Sequence, residues 1–215
     1  MAIMLPKGVY LMRKFMLSAL FVLALGAHSV LAFEIGGLGV FNFSSPSADS
    51  NGSSITSSSR LGFGFGGIIN FSLLPSFGSV DLLDLEIGVF YLPRKYSQTS
   101  AGGTKTDFSA SWLQFPLLVR LNPVPFLTLG AGGYFAFAMS DMNRDDTSVP
   151  FDQVGLGRTD LGLLASVGLR FPVAPTLNIL AEGRYLIGLA NLAKNSSDNF
   201  KFRDFQLLGG AVLHF

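Results

Sequence analysis

Charged side chains recur within segments of this sequence that are otherwise apolar, and this setting limits the chemistry they can do. Glu86 lies in the stretch LDLEIGVFY, Arg120 in LQFPLLVRL, and Glu182 and Arg184 in ILAEGRYLIG. Carboxylate and guanidinium groups that are taken out of water must pair, because each unpaired ion costs several kcal/mol. These residues predict an enclosed salt-bridge network with a structural role. A path that conducts protons or ions along the same residues is the alternative.

Side chains suited to catalysis and metal binding are scarce. The sequence has no Cys, and His28 and His214 are its two histidines. His28 lies in a segment that we expect to be removed, and His214 lies at the end of the last predicted strand. Hydrolysis by a His-assisted Ser or Asp site needs a His beside that residue as general base, so we predict that the protein is not an enzyme. We also expect no cofactor and no imidazole or thiolate metal site.

Asp141, Asn143 and Asp145 place oxygen atoms at a spacing similar to that of a calcium-binding loop. However, Asp146 stands where such a loop requires Gly, and Asp152 stands in place of the bidentate Glu. We therefore expect these carboxylates to be solvated.

The elements that must position the charged residues are β-strands. Hydrophobic residues make up 49% of the chain and charged residues 13%. Beyond the amino-terminal segment, however, no run of about 18 apolar residues could form a spanning helix. Eight segments instead alternate between apolar and mixed positions with a period of two. They lie near residues 33–43, 60–72, 81–92, 107–121, 126–139, 158–171, 176–190 and 203–215.

Backbone groups in lipid need internal hydrogen-bond partners, so strands cross a membrane only as a closed barrel. The sequence predicts an all-β fold, an eight-stranded antiparallel up-and-down transmembrane β-barrel. The continuous apolar sets, such as the odd positions from Leu113 to Leu121, should face lipid, and the mixed sets should face the lumen. Pro116 lies inside one of these strands, where it predicts a bulge or a lost ladder hydrogen bond.

The connections between the predicted strands are of two alternating kinds. The short ones contain Pro and lie near 74–78, 122–125 and 172–175. The long ones are polar and cover 44–59, 97–106, 140–157 and 191–202. This alternation predicts short periplasmic turns and long extracellular loops. We expect the Ser-rich segment 44–59 to be a mobile loop.

The amino-terminal residues are typical of a secretory signal. A positive region begins at Met12, an apolar run covers 15–25, and a small-residue cleavage site ends at Ala32. We expect Met12 to be the initiator and residues 1–32 to be a signal peptide. Residues 33–215 should then form a single barrel domain in the bacterial outer membrane.

An eight-stranded barrel has an interior just wide enough for side chains. Charges at the inward positions should therefore pair rather than line an open channel. These positions carry Glu34, Asp84, Glu86, Asp160, Glu182, Arg120, Arg170 and Arg184. We predict that Glu86, Arg120, Arg170, Glu182 and Arg184 form an ion-pair network that plugs the lumen.

The three stretches quoted above resemble recurring strands of the outer-membrane β-barrel domain (porin-like) family. In overall plan the chain is similar to small barrels of the OmpA, OmpX and OmpW type, over roughly residues 34 to 215. The resemblance implies outer-membrane lipid as the surroundings and assembly by the barrel insertion machinery. It also implies that the terminal segment ending at Phe215 is the insertion signal.

For function, the sequence favours a structural or surface-interaction role in which extracellular loops meet lipopolysaccharide or host components. A narrow porin-like channel for small or hydrophobic solutes is one alternative. A soluble barrel of the lipocalin kind, with apolar side chains inside, is another. The net charge of +1 argues against nucleic acid as a partner. We expect a monomer.

Overall fold

A computed structural model describes residues 33–50, 53–55, 57–74, 82–99, 103–145, 147–194 and 198–215. The expected signal peptide lies outside these residues, so its cleavage after Ala32 stays a prediction. Among the described residues, none belongs to a helix long and apolar enough to cross a bilayer.

The described chain forms antiparallel β-strands, eight of them long and three short. In chain order they are β1 (Phe33–Ser50), β2 (Ser53–Ile55), β3 (Ser57–Leu74), β4 (Leu83–Thr99), β5 (Lys105–Val124), β6 (Leu127–Ala138), β7 (Met142–Arg144), β8 (Thr147–Val149), β9 (Thr159–Ala174), β10 (Leu177–Gly188) and β11 (Asp198–His214). The eight long strands match the eight predicted segments. The prediction of an all-β, up-and-down fold is confirmed.

The eight long strands close into a ring. Their order is β4, β3, β1, β11, β10, β9, β6, β5, and β5 pairs again with β4. Starting from Glu34 of β1 and moving from each residue to its paired residue on the next strand, one turn around the ring ends at Ser44 of β1. The strands are therefore staggered by ten residues where the ring closes. For eight strands this stagger corresponds to a tilt of about 40° from the barrel axis. Each of the eight long strands is thus paired with a neighbour on both sides within the ring.

Side-chain alternation follows the predicted parity. In β5, Leu117 and Val119 are exposed whereas Leu118 and Arg120 are buried. The outer surface is a band of exposed large apolar side chains, and the interior holds charged and polar ones as well as apolar ones. This arrangement is the reverse of a lipocalin, so the soluble-barrel alternative is wrong.

The strands reach further toward the long loops than predicted. β1 continues from Phe43 to Ser50, and it pairs along this whole extension with β11, which begins at Asp198. Most of the segment 44–59 therefore lies in strands β1, β2 and β3, so the assignment of this whole segment to a loop is wrong, and its mobility stays a prediction. The physical reason is that the hydrogen bonds between paired strands join backbone groups, which Ser and Thr carry as apolar residues do, once a neighbouring strand is in register.

Two prolines, Pro116 and Pro93, perturb the pairing of β4 with its neighbours. Pro116 lies between the pairs Ile87↔Leu117 and Phe90↔Gln114, which keep one register, so the expected outcome is a lost ladder pairing and not a bulge. A Cβ on Gly88 would lie 2.9 Å from Cγ of Pro116, so glycine makes room for the ring.

The register shift occurs instead at Pro93 in β4. The β3–β4 ladder changes register between Arg60↔Lys95 and Phe65↔Tyr91. The backbone carbonyl of Pro93 lies closest to the place that a Cβ of Gly62 would occupy, and it accepts a 3.3 Å hydrogen bond from the Asn42 amide. The wall stays closed at this bulge because glycine permits close approach of the two strands.

Candidate functional site: the barrel lumen

Four charged residues form the centre of the lumen. Glu86 lies on β4, Arg120 on the neighbouring β5, and Glu182 and Arg184 on β10, at the opposite side of the ring. Each side chain is at most 4% exposed. The period-two alternation brings all four to the inside, and closure of the barrel brings the two pairs face to face.

The two guanidinium groups each bind both carboxylates. Arg120 donates from Nε to Oε2 of Glu86 over 2.7 Å and from Nη2 to Oε2 of Glu182 over 2.5 Å. Arg184 donates from Nη2 to Oε1 of Glu86 and from Nε to Oε1 of Glu182, both over 2.7 Å. Two positive and two negative charges therefore balance within one cluster. This central network, as we call these four residues, ties β4 and β5 to β10 across the lumen.

The central network also has uncharged neighbours. Arg120 donates from Nη1 to the hydroxyl of Thr128 over 3.1 Å. The Arg184 guanidinium lies 5.3 Å from the ring centroid of Phe90, within the range of a cation–π contact. These contacts fix the orientation of both arginine side chains.

Arg170 is not part of the central network, contrary to the prediction. Its Nη1 donates to Oε1 of Glu34 over 2.6 Å at the end of the barrel where the short turns lie. Asn70 also donates to Glu34, over 2.9 Å, and Nδ1 of His214 lies 3.7 Å from it. The reason is position: Arg170 lies close to the β9–β10 turn, whereas Glu182 lies further along β10.

A cavity of about 390 Å³ opens at this end. Its lining residues are Glu34, Asn122, Pro125, Leu127, Thr128, Arg170, Pro172, Ala174, Pro175, Asn178 and His214. Nearby, Asn122 donates to the buried carboxylate of Asp84 over 2.7 Å. The cavity reaches Thr128, which contacts Arg120 of the central network.

A second buried cluster lies toward the long-loop end, around Arg94. Arg94 donates from Nε to Asp204 and from Nη1 to Asp160, both over 2.8 Å. Tyr134 donates its hydroxyl proton to Asp160 over 2.9 Å. β4, β9 and β11 supply the three charged residues, so this upper cluster also spans the lumen.

The upper cluster was missed by sequence reasoning, although Asp160 was expected inside. The predicted strand covers 81–92 and the predicted loop begins at 97, so Arg94 lies outside both. Arg94 lies an even number of residues after Asp84 and Glu86, so it has the same inward parity as these residues. That parity is the signal that could have revealed it. Asp204 likewise shares the inward parity of Gln206 on β11.

Aromatic side chains enclose the upper cluster. The Arg94 guanidinium lies 4.7 Å from the ring centroid of Trp112 and 4.4 Å from that of Phe202. Phe151, from the long connection before β9, is fully buried and packs edge-to-face on Trp112 with centroids 5.9 Å apart. This segment closes the long-loop end of the lumen with an apolar cap. The buried residues of the surrounding cluster are Tyr96, Ala110, Trp112, Leu118, Tyr134, Ala136, Ala138, Met142, Phe151, Leu164, Leu186, Leu192, Phe200 and Phe202.

Further side chains fill the space between these clusters. Gln206 on β11 donates to Gln114 on β5 over 3.2 Å, which is another contact across the lumen. A separate apolar cluster covers the side formed mainly by β1, β3, β4 and β11. Its members are Leu38, Val40, Ile68, Phe90, Leu92, Leu180, Leu208 and Val212.

Two carboxylates of the calcium-like segment bind cations of the protein itself, and that of Asp145 accepts a hydrogen bond from the Asp107 N–H. Asp141 pairs with Arg158, and Asp152 pairs with Lys194. The hydrogen bond from the Lys194 ammonium, together with its charge, holds the pKa of Asp152 below its usual value. Asp146 lies outside the described residues.

Phe215 contacts the first described residue of the barrel. Its ring stacks on that of Phe33 with centroids 5.1 Å apart, and its N–H donates to the Phe33 carbonyl over 3.0 Å. The role of Phe215 as an insertion signal stays a prediction.

Comparison with known proteins identifies similar folds but no family. No family model matches the chain, and no curated protein does so. Among solved structures, the outer membrane protein OprG from Pseudomonas aeruginosa is 14% identical with a TM-score of 0.53, covering 87% of this chain and 97% of its own. Neisserial surface protein A is 14% identical with a TM-score of 0.48, covering 86% and 99%. Ail of Yersinia pestis is 15% identical with a TM-score of 0.39, covering 85% and 99%.

The likeness to OprG, with the closed ring and the exposed apolar band, shows that the chain has the fold of a small outer-membrane β-barrel. The expected location in the bacterial outer membrane agrees with this fold. The identity is too low to transfer an activity, and the absence of enzymatic function stays a prediction.

Proposed function

We propose that this protein is a non-conducting outer-membrane barrel whose lumen is a rigid core and whose extended strands display a surface outside the cell. The observation that supports the proposal most directly is the central network. Arg120 and Arg184 each bind Glu86 and Glu182 from opposite sides of the ring, and all four side chains are buried. Water or a solute would have to break a balanced set of buried ion pairs to pass.

Two more layers support a closed lumen. The upper cluster joins Arg94 to Asp160 and Asp204 across the barrel, and Phe151 covers it from the long-loop end. Passage through the lumen would require all three layers to rearrange together. A narrow channel along the lumen is therefore the less favoured function.

The orientation in the membrane follows from the connections. Short turns lie at 125–126 and 175–176, beside Phe33 and Phe215, and such turns face the periplasm in outer-membrane barrels. Ten residue steps separate Phe215 from Phe205, which corresponds to about 25 Å along the barrel axis. That is the height of an outer-membrane apolar band.

The extracellular end carries an aromatic girdle. Phe43 and Phe205 form one ring pair with centroids 6.3 Å apart, and Phe65 and Tyr91 form another at 5.8 Å. Beyond this girdle, β1 continues to Ser50, which is about 18 Å further at 3.3 Å per residue and a 40° tilt. The protein thus presents a strand extension to the outside, and contact with host or surface ligands through it stays a prediction.

Planar-bilayer recording tests the closed lumen. We expect wild-type protein to show no large, stable open state. A quadruple variant, Glu86→Gln with Arg120→Gln, Glu182→Gln and Arg184→Gln, should show raised conductance because neutral amides no longer hold the two sides of the ring together. Heat-modifiable mobility on gels checks that each protein is folded.

Stable open states in folded wild-type protein would contradict the proposal. A matched control replaces the exposed pair Arg158 and Asp141 with Gln and Asn, which should leave the conductance unchanged.

A further inference from the structure

We infer that one face of the barrel, just above the extracellular aromatic girdle, binds the phosphate groups of an outer-leaflet glycolipid. The inference rests on the proposed orientation. The face consists of Arg60 on β3, Lys95 on β4, and Lys201 and Arg203 on β11, with β1 between β3 and β11. We call these four residues the basic face.

The depth of these cations matches lipid headgroups. Arg203 precedes the girdle residue Phe205 by two positions, and Lys201 precedes it by four. At 3.3 Å per residue and a 40° tilt, their Cα atoms lie about 5 Å and 10 Å above Phe205. Lys95 follows Tyr91 by four positions and lies at a similar height. Acyl chains beside the apolar band would place their phosphates at this level.

The side chains of Lys201 and Arg203 point outward, whereas Arg60 has the inward parity of Gly62 and lies at the rim of the barrel, where its side chain is 47% exposed. Arg203 has the same parity as the exposed residues Phe205 and Leu207, whereas the alternate residues Asp204 and Gln206 are buried. The register pairs Arg203 with Ser45 and Lys201 with Ser47 on β1. Small serine side chains beside the two cations leave room for a bulky headgroup.

The charges of the basic face are only partly neutralised by the protein. Arg60 pairs with Asp107, whose pKa lies below its usual value because Ser97 donates a hydrogen bond to it and Arg60 is close. Among the described side chains, Lys95, Lys201 and Arg203 make no ion pair, and the side chain of Asp49 is not described.

Two cations at the long loops on the other side of the ring are paired with carboxylates. Arg158 binds Asp141 and Lys194 binds Asp152. Pairing lowers the positive potential at Arg158 and Lys194, whereas Lys95, Lys201 and Arg203 keep their charge among the described side chains, so an anionic headgroup is attracted to the basic face.

A polar pocket adjoins the basic face. It has a volume of about 350 Å³, and its lining residues are Arg60, Lys95, Asp107, Phe108, Ser109, Asn143 and Asp145. Cations, hydroxyl and amide groups and an aromatic ring suit a phosphorylated sugar. The carboxylates of Asp107 and Asp145 would accept hydrogen bonds from sugar hydroxyl groups.

Binding of lipid A to the folded full barrel in detergent tests the inference. The test variant is Lys201→Glu with Arg203→Glu, and the matched control, with the same change of net charge, is Arg158→Glu with Lys194→Glu. At about a fivefold loss for each cation removed, the test variant should bind at least 20-fold more weakly. The control should stay within about threefold of wild type. Added salt should weaken wild-type binding.

Further arms identify the chemistry that is bound. Dephosphorylated lipid A should bind wild type as weakly as lipid A binds the test variant. Equal binding of phosphorylated and dephosphorylated lipid, or equal loss in test and control variants, would overturn the inference. Tighter binding of a soluble sulfated glycan than of lipid A would overturn it as well, in favour of a host polysaccharide. None of these outcomes bears on conductance, so the closed lumen is tested separately.

Discussion

Removal of Arg120 should destabilise the barrel strongly without changing its outer surface. Arg120→Met keeps an apolar side chain of similar length but deletes the guanidinium that contacts Glu86, Glu182 and Thr128. The central network then holds two carboxylates and only the single cation of Arg184. Since all of these groups are buried, one negative charge is left without compensation.

The magnitude follows from the burial of this charge. Removing one partner of a buried ion pair costs about 3–5 kcal/mol in the free energy of unfolding. The matched control is Arg158→Met, which breaks an ion pair with Asp141 whose side chains are 49% and 39% exposed. A pair this exposed contributes about 0–1 kcal/mol. The expected difference between the variants is therefore about 3 kcal/mol.

Equilibrium unfolding in urea, with the barrel in lipid vesicles, measures both values. Trp112 is the single tryptophan of the chain and is fully buried in the described structure, so its emission reports on the state of the lumen. A double variant, Glu86→Gln with Arg120→Met, should recover part of the lost stability because it removes the excess charge. If Arg120→Met cost no more than Arg158→Met, the central network would not be a source of rigidity, and the reasoning would fail.

Three further substitutions test the packing of the barrel. Gly66→Ala should lower the free energy of unfolding by about 1–3 kcal/mol, because a Cβ there would lie 2.7 Å from Cγ of Phe90. A Cβ on Gly209 would have no atom within 4 Å, so Gly209→Ala should change the free energy of unfolding by less than about 0.5 kcal/mol in the same urea assay. Equal effects would contradict the packing argument. Phe151→Ala should lower the free energy of unfolding by about 3–5 kcal/mol and shift the emission of Trp112 to longer wavelength, since it removes the ring that covers Trp112. An unchanged emission spectrum would show that Phe151 does not seal the lumen.

Features that are decided within one strand could be predicted from the sequence, whereas features that depend on neighbouring strands could not. Alternation placed Glu86, Arg120, Glu182 and Arg184 inside, because parity along one strand decides the face and needs no knowledge of neighbours. Arg94 was missed because the predicted strand, near 81–92, stops two residues before it. In the structure the strand passes through Pro93 with a change of register.

The sequence by itself determined the number of long strands, the apolar band and most of the inward charged side chains, those of the central network included. These properties depend on a period of two that can be read from consecutive residues. Only the tertiary structure decided which inward charges meet. Glu34 pairs with Arg170, and Arg94 pairs with Asp204, although 136 and 110 residues separate them. Partner choice depends on the ten-residue stagger with which the ring closes, and that stagger is a property of all eight strand pairings together.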